Sequence, residues 1–421
     1  MKITLPKIER IDLTVTAPPS KSYTHRALIA GALGSGRTTI QNPLDAQDTR
    51  ITLQALCTLG IQAAWDGDRI VVEGCRGAFP SLPETTLDLG NSGTSLRLLT
   101  SLALLCRTPV TLTGSTRMQE RPIGPLADAL PRLGGTVRFL KQDGYPPLEV
   151  GGHLRGGTVS MDGSISSQFI SSVLIAAPYA DREITVTLPS PTASASYLDI
   201  TLDVMQTFGA RVDRIGYETF AVSNRHRYTG REYAVEGDYS SASYFFAIAA
   251  ICGGRVTVKN LAPGSVQGDR RFLDALRGMG CTVTRSGASA TVERTGELRG
   301  ITFDMSTSPD TVQTLCMVAA TCSSPTTITG ISHLKFKESD RINGTADRIR
   351  ALGGDVTVGD DFITIRPAPL HGGTIDPEDD HRTAMSFAVL GFGIGGITIT
   401  DAACVNKSFP GFWDSLKGVM P

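Results

Sequence analysis

The sequence has no excess of charge of either sign. It holds 40 Lys and Arg residues against 41 Asp and Glu residues, which gives a formal net charge of −1. A chain with so little net charge produces no overall field that would attract nucleic acid or an anionic membrane. We therefore expect no nucleic-acid partner and no membrane partner, and any site for anions must be local.

Long apolar runs, a secretion signal and paired cysteines are also missing. The longest apolar stretches, residues 98–106 and 244–252, are well short of the roughly 18 to 20 residues that a membrane span needs. The N-terminal segment alternates like a strand and lacks the apolar region of a signal peptide. The eight cysteines include no C-x-x-C pair and lie mostly in apolar runs, which is typical of reduced core residues. These features predict a cytoplasmic protein.

Motifs that would indicate a metal or cofactor site are absent as well. The six histidines form no H-E-x-x-H motif and no i, i+4 pair, so local spacing predicts no zinc site. Residues 31–38 nearly fit the P-loop pattern, and residues 391–396 fit G-x-G-x-x-G. Each of these segments follows a helix pattern and precedes a strand pattern, which is the reverse of the order that binds phosphates. We expect no metal and no cofactor.

What the sequence does contain is one pattern repeated six times. A Leu-Gly, Met-Gly or Phe-Gly step recurs between a helix pattern and a strand pattern, with spacings of 74, 75, 71 and 73 residues. The glycines of these steps are Gly60, Gly134, Gly209, Gly280 and Gly353. Short strands that precede the helices are predicted at residues 38–40, 110–112, 184–186, 256–258, 326–328 and 397–399. Strands that follow the steps are predicted at residues 70–72, 148–150, 220–222, 290–292 and 362–365. Self-similarity at a fixed period predicts a repeat architecture.

The N-terminal segment, residues 2–15, supplies two spare strands. Because an unpaired sheet edge is unfavourable, we expect these strands to complete the sixth repeat, which lacks its last strand. The chain would then leave one lobe near Ala17 and return to it near Gly237. We predict a first lobe formed by residues 1–17 and 237–421, with repeats four to six, and a second lobe formed by residues 18–236, with repeats one to three.

Each repeat also contains an apolar helix whose first residues are polar. These openings are residues 20–26, 91–97, 166–168, 238–243, 308–313 and 379–382. Ser, Asn and Asp are common helix caps, but four cations in the openings oppose the helix dipole unless an anion lies between them. They are Lys21, Arg26, Arg97 and Arg382. Because helix N-termini bind phosphate and carboxylate, the repeat predicts a central cleft that binds several anions.

Six strings resemble the 5-enolpyruvylshikimate-3-phosphate (EPSP) synthase family. They are 18-PPSKSYTHRAL-28, 90-GNSGTSLR-97, 117-RMQERPIGPL-126, 236-EGDYSSASYF-245, 337-KESDRI-342 and 380-DHRTAM-385. The resemblance runs from about residue 17 to residue 410. It implies a two-lobed inside-out α/β barrel with six βαβαββ repeats, three per lobe. It also implies a transferase of chorismate and aromatic amino acid biosynthesis, of the kind that is the target of glyphosate. This enzyme moves the enolpyruvyl group of phosphoenolpyruvate to the 5-hydroxyl of shikimate 3-phosphate and releases phosphate.

The resemblance also implies which residues bind and react. Those that match shikimate 3-phosphate contacts are Lys21, Ser22, Arg26, Ser166, Ser167, Gln168, Ser194, Tyr197, Asp310 and Lys337. Those that match phosphoenolpyruvate contacts are Lys21, Gly93, Arg121, Gln168, Arg341, Arg382 and Lys407. The implied catalytic residues are Lys21, Asp310, Glu338 and Lys407. Two positions depart from many bacterial members, because this chain has SASY at residues 194–197 in place of SKPY and has His333 where Asn is frequent.

The chemistry explains why so many cations are needed. Each substrate carries a phosphate and a carboxylate, and Arg can bind either group with two hydrogen bonds. As a hypothesis, Glu338 protonates the methylene carbon of phosphoenolpyruvate, Asp310 takes the hydroxyl proton, and Lys21 and Lys407 stabilise the departing phosphate. The expected partners are therefore the two small-molecule substrates, and we expect the chain to act as a monomer.

Two alternatives stay open from the sequence. The first is UDP-N-acetylglucosamine enolpyruvyl transferase, many members of which carry a cysteine in the loop that matches residues 113–124. This loop has no cysteine. The second is a noncatalytic anion-binding protein of the same fold, and the presence of Lys21, Asp310 and Glu338 argues against it.

Overall fold

The computed structural model describes residues 1–419, and the chain forms two compact units. The first unit comprises Met1–Pro18 and Glu236–Pro421, and the second comprises Pro19–Val235. Within the described residues, each unit contains three β-sheets. Among residues 1–419, no helix combines the length and the apolar character that a membrane span requires.

The three sheets of the second unit share one strand order. In each sheet the first two strands are parallel, and the third and fourth are each antiparallel to the strand before them. In hydrogen-bonded order the strands are Glu232–Ala234, Ser35–Gln41, Arg69–Cys75 and Gln62–Asp66; Thr85–Asp88, Val110–Thr113, Leu148–Gly152 and Gly135–Phe139; and Gly157–Ser160, Ile184–Thr187, Thr219–Val222 and Val212–Ile215. The shared order follows from the repeat, because equivalent sequence segments form equivalent strands.

The first unit has two sheets of the same order and one sheet of three strands. The strands are Ile11–Thr16, Gly254–Lys259, Ser289–Arg294 and Thr282–Ser286; Thr302–Asp304, Thr326–Thr329, Phe362–Arg366 and Asp355–Val358; and Gly373–Ile375, Ile397–Ile399 and Ile3–Thr4. All eleven strands that the repeat predicts are confirmed, because each predicted segment lies within one of the observed strands.

The prediction for the N-terminal segment is half wrong. Ile3–Thr4 does pair with Ile397–Ile399 of the sixth repeat, with Ile3 opposite Ile399. Ile11–Thr16 instead lies parallel to Gly254–Lys259 of the fourth repeat. The physical reason is that Glu232–Ala234, which directly precedes the fourth repeat in sequence, pairs with a strand of the second unit. The parallel edge of the fourth repeat's sheet is therefore filled by Ile11–Thr16.

Three apolar helices, one per repeat, lie inside each unit, and we call these six the opening helices. They are Lys21–Leu33, Gly93–Leu102, Ser167–Ala176, Tyr239–Cys252, Val312–Ala319 and His381–Ile394. Every residue of Tyr239–Cys252 is buried, and the three opening helices of the first unit contact one another. The strands alternate between buried and exposed residues, as expected for sheets with one face on the core. Helices inside and sheets outside confirm the predicted inside-out α/β arrangement.

Besides the opening helices, the described residues form further α-helices and several 3₁₀ helices. The α-helices are Gln47–Thr58, Thr116–Gln119, Gly124–Ala129, Ser196–Thr207, Phe272–Gly278, Asn343–Ala351 and Phe412–Ser415. The 3₁₀ helices are Ala103–Leu105, Leu130–Leu133, Ala177–Tyr179, Gly268–Arg271, Pro309–Thr311, Ser332–Phe336 and Ala402–Lys407. The five glycine steps follow helices, with φ between 87° at Gly60 and 105° at Gly280. Because glycine tolerates this left-handed conformation, it ends the helix and turns the chain into the next strand.

Candidate active site

Arg341 binds three carboxylates in the first unit. Its Nε lies 2.8 Å from Asp380 Oδ2, and its Nη2 lies 3.1 Å from Asp380 Oδ1. Nη2 also lies 2.8 Å from Glu338 Oε2, and Nη1 lies 3.3 Å from Asp310 Oδ1. Burial alone would lower the pKa of Arg341, but the charges of Asp380, Glu338 and Asp310 raise it above its usual value. Arg341 is therefore a permanent buried cation.

Arg382 is a second cation that contacts the carboxylate of Asp310. Its Nη2 lies 2.6 Å from Asp310 Oδ2, and its Nη1 donates to the Asp310 carbonyl at 3.1 Å and to Tyr244 Oη at 3.4 Å. Burial raises the pKa of Tyr244 to about 12, so this side chain stays a neutral phenol. The two carboxylate oxygens of Asp310 thus contact two different arginines, Arg341 and Arg382.

Asp380 fixes this cluster to an opening helix. It is fully buried, and it caps His381–Ile394 by accepting from the backbone N–H of Arg382 at 3.0 Å. The hydroxyl of Ser339 also donates to Asp380 Oδ2 at 2.9 Å. One carboxylate therefore aligns residues 337–342 with the helix that carries Arg382.

The two predicted carboxylates remain accessible at the edge of the cluster. The side chain of Asp310 is 21% exposed and that of Glu338 is 10% exposed, whereas Arg341 is 2% exposed. Asp310 lies in the 3₁₀ turn Pro309–Thr311, immediately before an opening helix. The arrangement gives two reachable carboxylates beside buried cations, which is a combination that can bind an anion and transfer protons.

The first unit also carries two predicted lysines, Lys337 and Lys407, and the departing position His333. Lys337 directly follows the 3₁₀ helix Ser332–Phe336. Burial and the positive charge of Lys337 lower the pKa of His333 to about 3, so the imidazole is neutral at physiological pH. Lys407 is buried at the end of Ala402–Lys407, which contacts the opening helix His381–Ile394.

Arg26 is a buried cation in the second unit. Its Nε donates to Thr201 Oγ1 at 2.8 Å, its Nη1 to the Ser22 carbonyl at 3.0 Å and its Nη2 to the Tyr197 carbonyl at 3.2 Å. Burial lowers the pKa of Arg26 to about 10, which still leaves the guanidinium charged at neutral pH. Because all three of these acceptors are neutral oxygens, the guanidinium is suited to attract an anion. Arg26, Ser22 and Tyr197 are thus brought together as predicted for one ligand.

Gly93 and Arg121 lie against each other at the start of another opening helix. A Cβ atom built on Gly93 would be 2.5 Å from Arg121 Nη2. Arg121 Nη1 donates to the carbonyl and to the side-chain oxygen of Asn91, at 3.3 and 3.4 Å. Gln168 joins this group because its Nε2 donates to Thr94 Oγ1 at 3.0 Å. The structure therefore brings together three of the predicted phosphoenolpyruvate contacts.

The other predicted residues of the second unit lie at helix starts. Lys21 Nζ lies 3.0 Å from Asp48 Oδ2, and the side chain of Asp48 is only 2% exposed. Ser166 caps the opening helix that begins at Ser167, because its hydroxyl accepts from the backbone N–H of Gln168 at 3.3 Å. Ser194 is buried and has φ of 59°, an unusual conformation for a residue other than glycine.

The expected anions at the helix starts are supplied in part by the chain itself. Asp48 is paired with Lys21, and Asp310 is paired with Arg382. The cations therefore do not by themselves prove an external anion, contrary to the argument from helix dipoles alone. The buried Arg26, with its neutral acceptors, supports the anion-site interpretation more strongly.

Sequence reasoning missed four residues of these groups. Asp380 lies within one of the family strings, and Arg97 was recognised only as a cation near a helix start. Arg97 Nη1 donates to Gln168 Oε1 at 3.0 Å, so it holds a predicted ligand residue. Thr94, the second partner of Gln168, lies beside Gly93 in the same string. Asp48 belongs to no string, and no local pattern in the sequence would have indicated it.

Asp269 is a further buried acid in the first unit. Only 3% of the residue is exposed, and the Ser240 hydroxyl donates to its carboxylate. Burial, together with the negative charge of Asp310, raises the pKa of Asp269 to about 7, well above the usual value of an aspartate. A carboxyl group with a raised pKa binds its proton more tightly in the folded state. Its contribution to stability is therefore present at low pH and is lost as the pH rises from about 4 to about 7.

Replacing Asp269 by Asn is expected to remove this pH dependence. The amide oxygen can still accept from Ser240 but the group does not ionise, so the variant should gain stability relative to the parent as the pH rises. Urea-induced unfolding at about pH 5 and about pH 8 measures the difference in unfolding free energy. Asp274→Asn is the control, because the side chain of Asp274 is 48% exposed. An equal difference at both pH values would contradict the assignment.

Comparison with known proteins gives a consistent picture. The family model for EPSP synthase (3-phosphoshikimate 1-carboxyvinyltransferase) matches residues 5–416. The 3-phosphoshikimate 1-carboxyvinyltransferase of Methanoregula boonei is 64% identical over 420 residues, covering 100% of both chains. The protein of that name from Aliivibrio salmonicida is 42% identical, covering 99% of this chain and 98% of its own. The solved structure of EPSP synthase from Acinetobacter baumannii has a TM-score of 0.83 at 28% identity, covering 100% of this chain and 98% of its own.

These similarities agree with the architecture described above. The family match spans both units, and the relatives are covered along nearly their whole length. The chain belongs to the EPSP synthase family.

Proposed function

We propose that this chain transfers the enolpyruvyl group of phosphoenolpyruvate to the 5-hydroxyl of shikimate 3-phosphate and releases phosphate. Family membership along the whole chain supports this activity. The observation that carries the chemistry is the first-unit cluster, in which Asp310 and Glu338 are accessible carboxylates on the buried Arg341. A noncatalytic anion-binding protein would not require two reachable carboxylates beside its cations.

In the proposed reaction, each carboxylate has its own role. Glu338 delivers a proton to the methylene carbon of phosphoenolpyruvate while the 5-hydroxyl oxygen attacks the adjacent carbon and Asp310 takes the hydroxyl proton. The resulting tetrahedral intermediate loses phosphate, which leaves with the proton that Asp310 accepted, so that Asp310 becomes a carboxylate again. A proton leaves the new methyl group in the same stage, which restores the double bond and returns the proton to Glu338. No enzyme nucleophile and no covalent enzyme intermediate are needed.

The cations of each unit are proposed to bind the anionic groups of the substrates. In the second unit, Arg26 with Ser22, Ser166, Ser167, Ser194 and Tyr197 would bind shikimate 3-phosphate. Gly93, Arg121 and Gln168 of the same unit are proposed contacts of phosphoenolpyruvate. In the first unit, the proposed phosphoenolpyruvate contacts are Arg341 and Arg382. Lys21 and Lys407 would stabilise the departing phosphate, and Lys337 would contact shikimate 3-phosphate. Hydrogen bonds to charged groups are worth roughly 1.5 to 3 kcal/mol each, so a set of this kind can hold two dianionic ligands.

Phosphate release tests the proposed activity directly. The purified protein is given phosphoenolpyruvate alone, then with shikimate 3-phosphate, then with UDP-N-acetylglucosamine. Release only with shikimate 3-phosphate is the expected result. Release with the nucleotide sugar would instead establish the related transferase, and no release under any condition would favour the noncatalytic alternative.

We also propose that the protein acts as a monomer in the cytoplasm. All eight cysteines are free thiols, and five of them are buried. Free buried thiols are typical of proteins that work in a reducing compartment. Both proposed substrates are small molecules, and neither requires a partner chain. Gel filtration with light scattering measures the oligomeric state.

Gly93→Ala is expected to weaken phosphoenolpyruvate binding. The new Cβ would lie 2.5 Å from Arg121 Nη2, so the guanidinium must move. Because that group ends a flexible side chain, the fold should persist while its contact with the ligand is lost. Loss of one charge-assisted hydrogen bond predicts a rise in the KM for phosphoenolpyruvate of about tenfold or more. Inhibition by glyphosate should weaken with it.

Steady-state kinetics with each substrate varied in turn test this result. The KM for shikimate 3-phosphate should change by less than about twofold, because the atoms nearest to the new Cβ belong to Arg121, whereas Arg26 bonds to Ser22 and Tyr197. Gly264→Ala is the matched control, since a Cβ there meets no atom within 4 Å. An unchanged KM for phosphoenolpyruvate in Gly93→Ala would refute the assignment of this glycine.

A further inference from the structure

A buried chain of side-chain hydrogen bonds joins three helices of the second unit. His25 Nδ1 lies 2.7 Å from Thr52 Oγ1, and Thr52 Oγ1 lies 2.7 Å from Ser95 Oγ. Ser95 Oγ lies 2.6 Å from Ser92 Oγ. All four side chains are buried, with 0% exposure. Polar groups this deep in a protein are energetically demanding, so a continuous chain of them calls for a functional reason.

The chain of hydrogen bonds ends beside Gly93. Ser92 caps the opening helix Gly93–Leu102 by accepting from the backbone N–H of Ser95. The residue before the cap, Asn91, accepts two hydrogen bonds from Arg121. The position of Ser92 therefore sets the position of both Gly93 and the group that holds Arg121.

The same chain reaches the helix that carries Asp48. Thr52 lies within Gln47–Thr58, and Ser95 Oγ also lies 3.3 Å from the carbonyl oxygen of Asp48. Asp48 in turn binds Lys21 at 3.0 Å. The hydroxyl of Thr52 is thus the central link between the start of Lys21–Leu33 and the start of Gly93–Leu102.

Gly93 and the guanidinium of Arg121 are in close contact. An added Cβ would lie 2.5 Å from Arg121, so a shift of this helix start by a few tenths of an ångström changes the space open to a ligand. We propose that His25, Thr52, Ser95 and Ser92 form a positioning relay that sets the gap between Gly93 and Arg121. The relay thereby determines how tightly the enolpyruvyl donor and its anionic analogues bind. This inference rests on the proposed function.

Thr52→Val tests the relay with almost no change in side-chain shape. The valine removes both hydrogen bonds of the central link, and losing one or two neutral hydrogen bonds corresponds to about a 5- to 30-fold change in an equilibrium constant. We expect the KM for phosphoenolpyruvate and the inhibition constant of glyphosate to rise by this factor. The kcat and the KM for shikimate 3-phosphate should stay within about twofold. Thr52→Ser, which keeps the hydroxyl, should restore the parent values.

Thr100→Val is the matched control. Thr100 lies in Gly93–Leu102, the opening helix that also carries Ser95, and it is equally buried. Its hydroxyl donates to the Leu96 carbonyl of its own helix, at 2.7 Å, and so is not a link of the relay. The same change there should leave both KM values unaltered. Ser95→Ala interrupts the relay by loss of a single oxygen atom, so it must show the same selective rise even if Thr52→Val does not fold.

The outcomes separate the relay from the activity on which it rests. An inactive parent protein would overturn the proposed function. An active parent with an unchanged KM for phosphoenolpyruvate in Thr52→Val and Ser95→Ala would overturn the relay alone. Equal rises in both KM values, or the same rise in Thr100→Val, would show general damage to the fold and would also overturn the relay.

Discussion

Glu338→Gln is expected to lower kcat by about 10²- to 10⁴-fold, the usual contribution of a positioned general acid or base. The amide has nearly the same shape and keeps an oxygen that accepts from Arg341, which lies 2.8 Å from the Glu338 carboxylate. It cannot deliver a proton to carbon. Arg341 also keeps its contacts with the buried Asp380, so the fold should be preserved. Steady-state phosphate release with both substrates measures the loss, and thermal unfolding checks the fold.

Asp310→Asn should lose turnover to a similar extent and should also bind substrate less well. Its two carboxylate oxygens contact Arg341 and Arg382, and the amide can offer an oxygen to only one of them. Glu378→Gln also replaces a carboxylate by an amide, at a side chain that is 63% exposed. This control should leave turnover and substrate binding unchanged. A Glu338 or Asp310 variant with near-parental turnover would remove that residue from the mechanism.

The repeat made the sheets predictable from the sequence. Each predicted strand is a short run of β-branched residues in a fixed position relative to a glycine step, as in residues 256–258 before Gly280. Local composition is enough to indicate such a strand and the helix end that follows it. The pairing of Ile11–Thr16 with Gly254–Lys259 was mispredicted because the strand that precedes the fourth repeat, Glu232–Ala234, pairs in the second unit and leaves a second sheet edge open. No local property of either strand chooses between two open sheet edges.

The candidate site was predictable to the extent that its residues lie within the family strings. Glu338 and Arg341 are three residues apart in sequence, so little of the chain separates these two contacting side chains. Asp310 and Asp380 are 31 and 39 residues from Arg341, and only the fold brings them to it. Asp380 also shows why composition is insufficient here, because its roles as a helix cap and as a partner of Arg341 are visible only in three dimensions.

Arg341→Leu is expected to destabilise the protein by about 3 to 5 kcal/mol, the usual effect of removing one partner of a buried ion pair. The arginine is 2% exposed and its partner Asp380 is 0% exposed, so the carboxylate would remain buried without its strongest counter-charge. Ser339 would still donate to Asp380, but a neutral donor compensates a buried charge only in part. Urea-induced unfolding followed by circular dichroism measures the change.

A second substitution distinguishes the stranded charge from lost packing. Adding Asp380→Asn to Arg341→Leu removes the buried charge, so the double variant should regain part of the stability that the single variant loses. Arg277→Leu is the control, because that arginine is 53% exposed, its partner Asp274 is 48% exposed, and surface pairs contribute about 0 to 1 kcal/mol. If the double variant were no more stable than Arg341→Leu alone, the loss would come from packing. The cluster would then be held together by shape and not by the charge of Arg341.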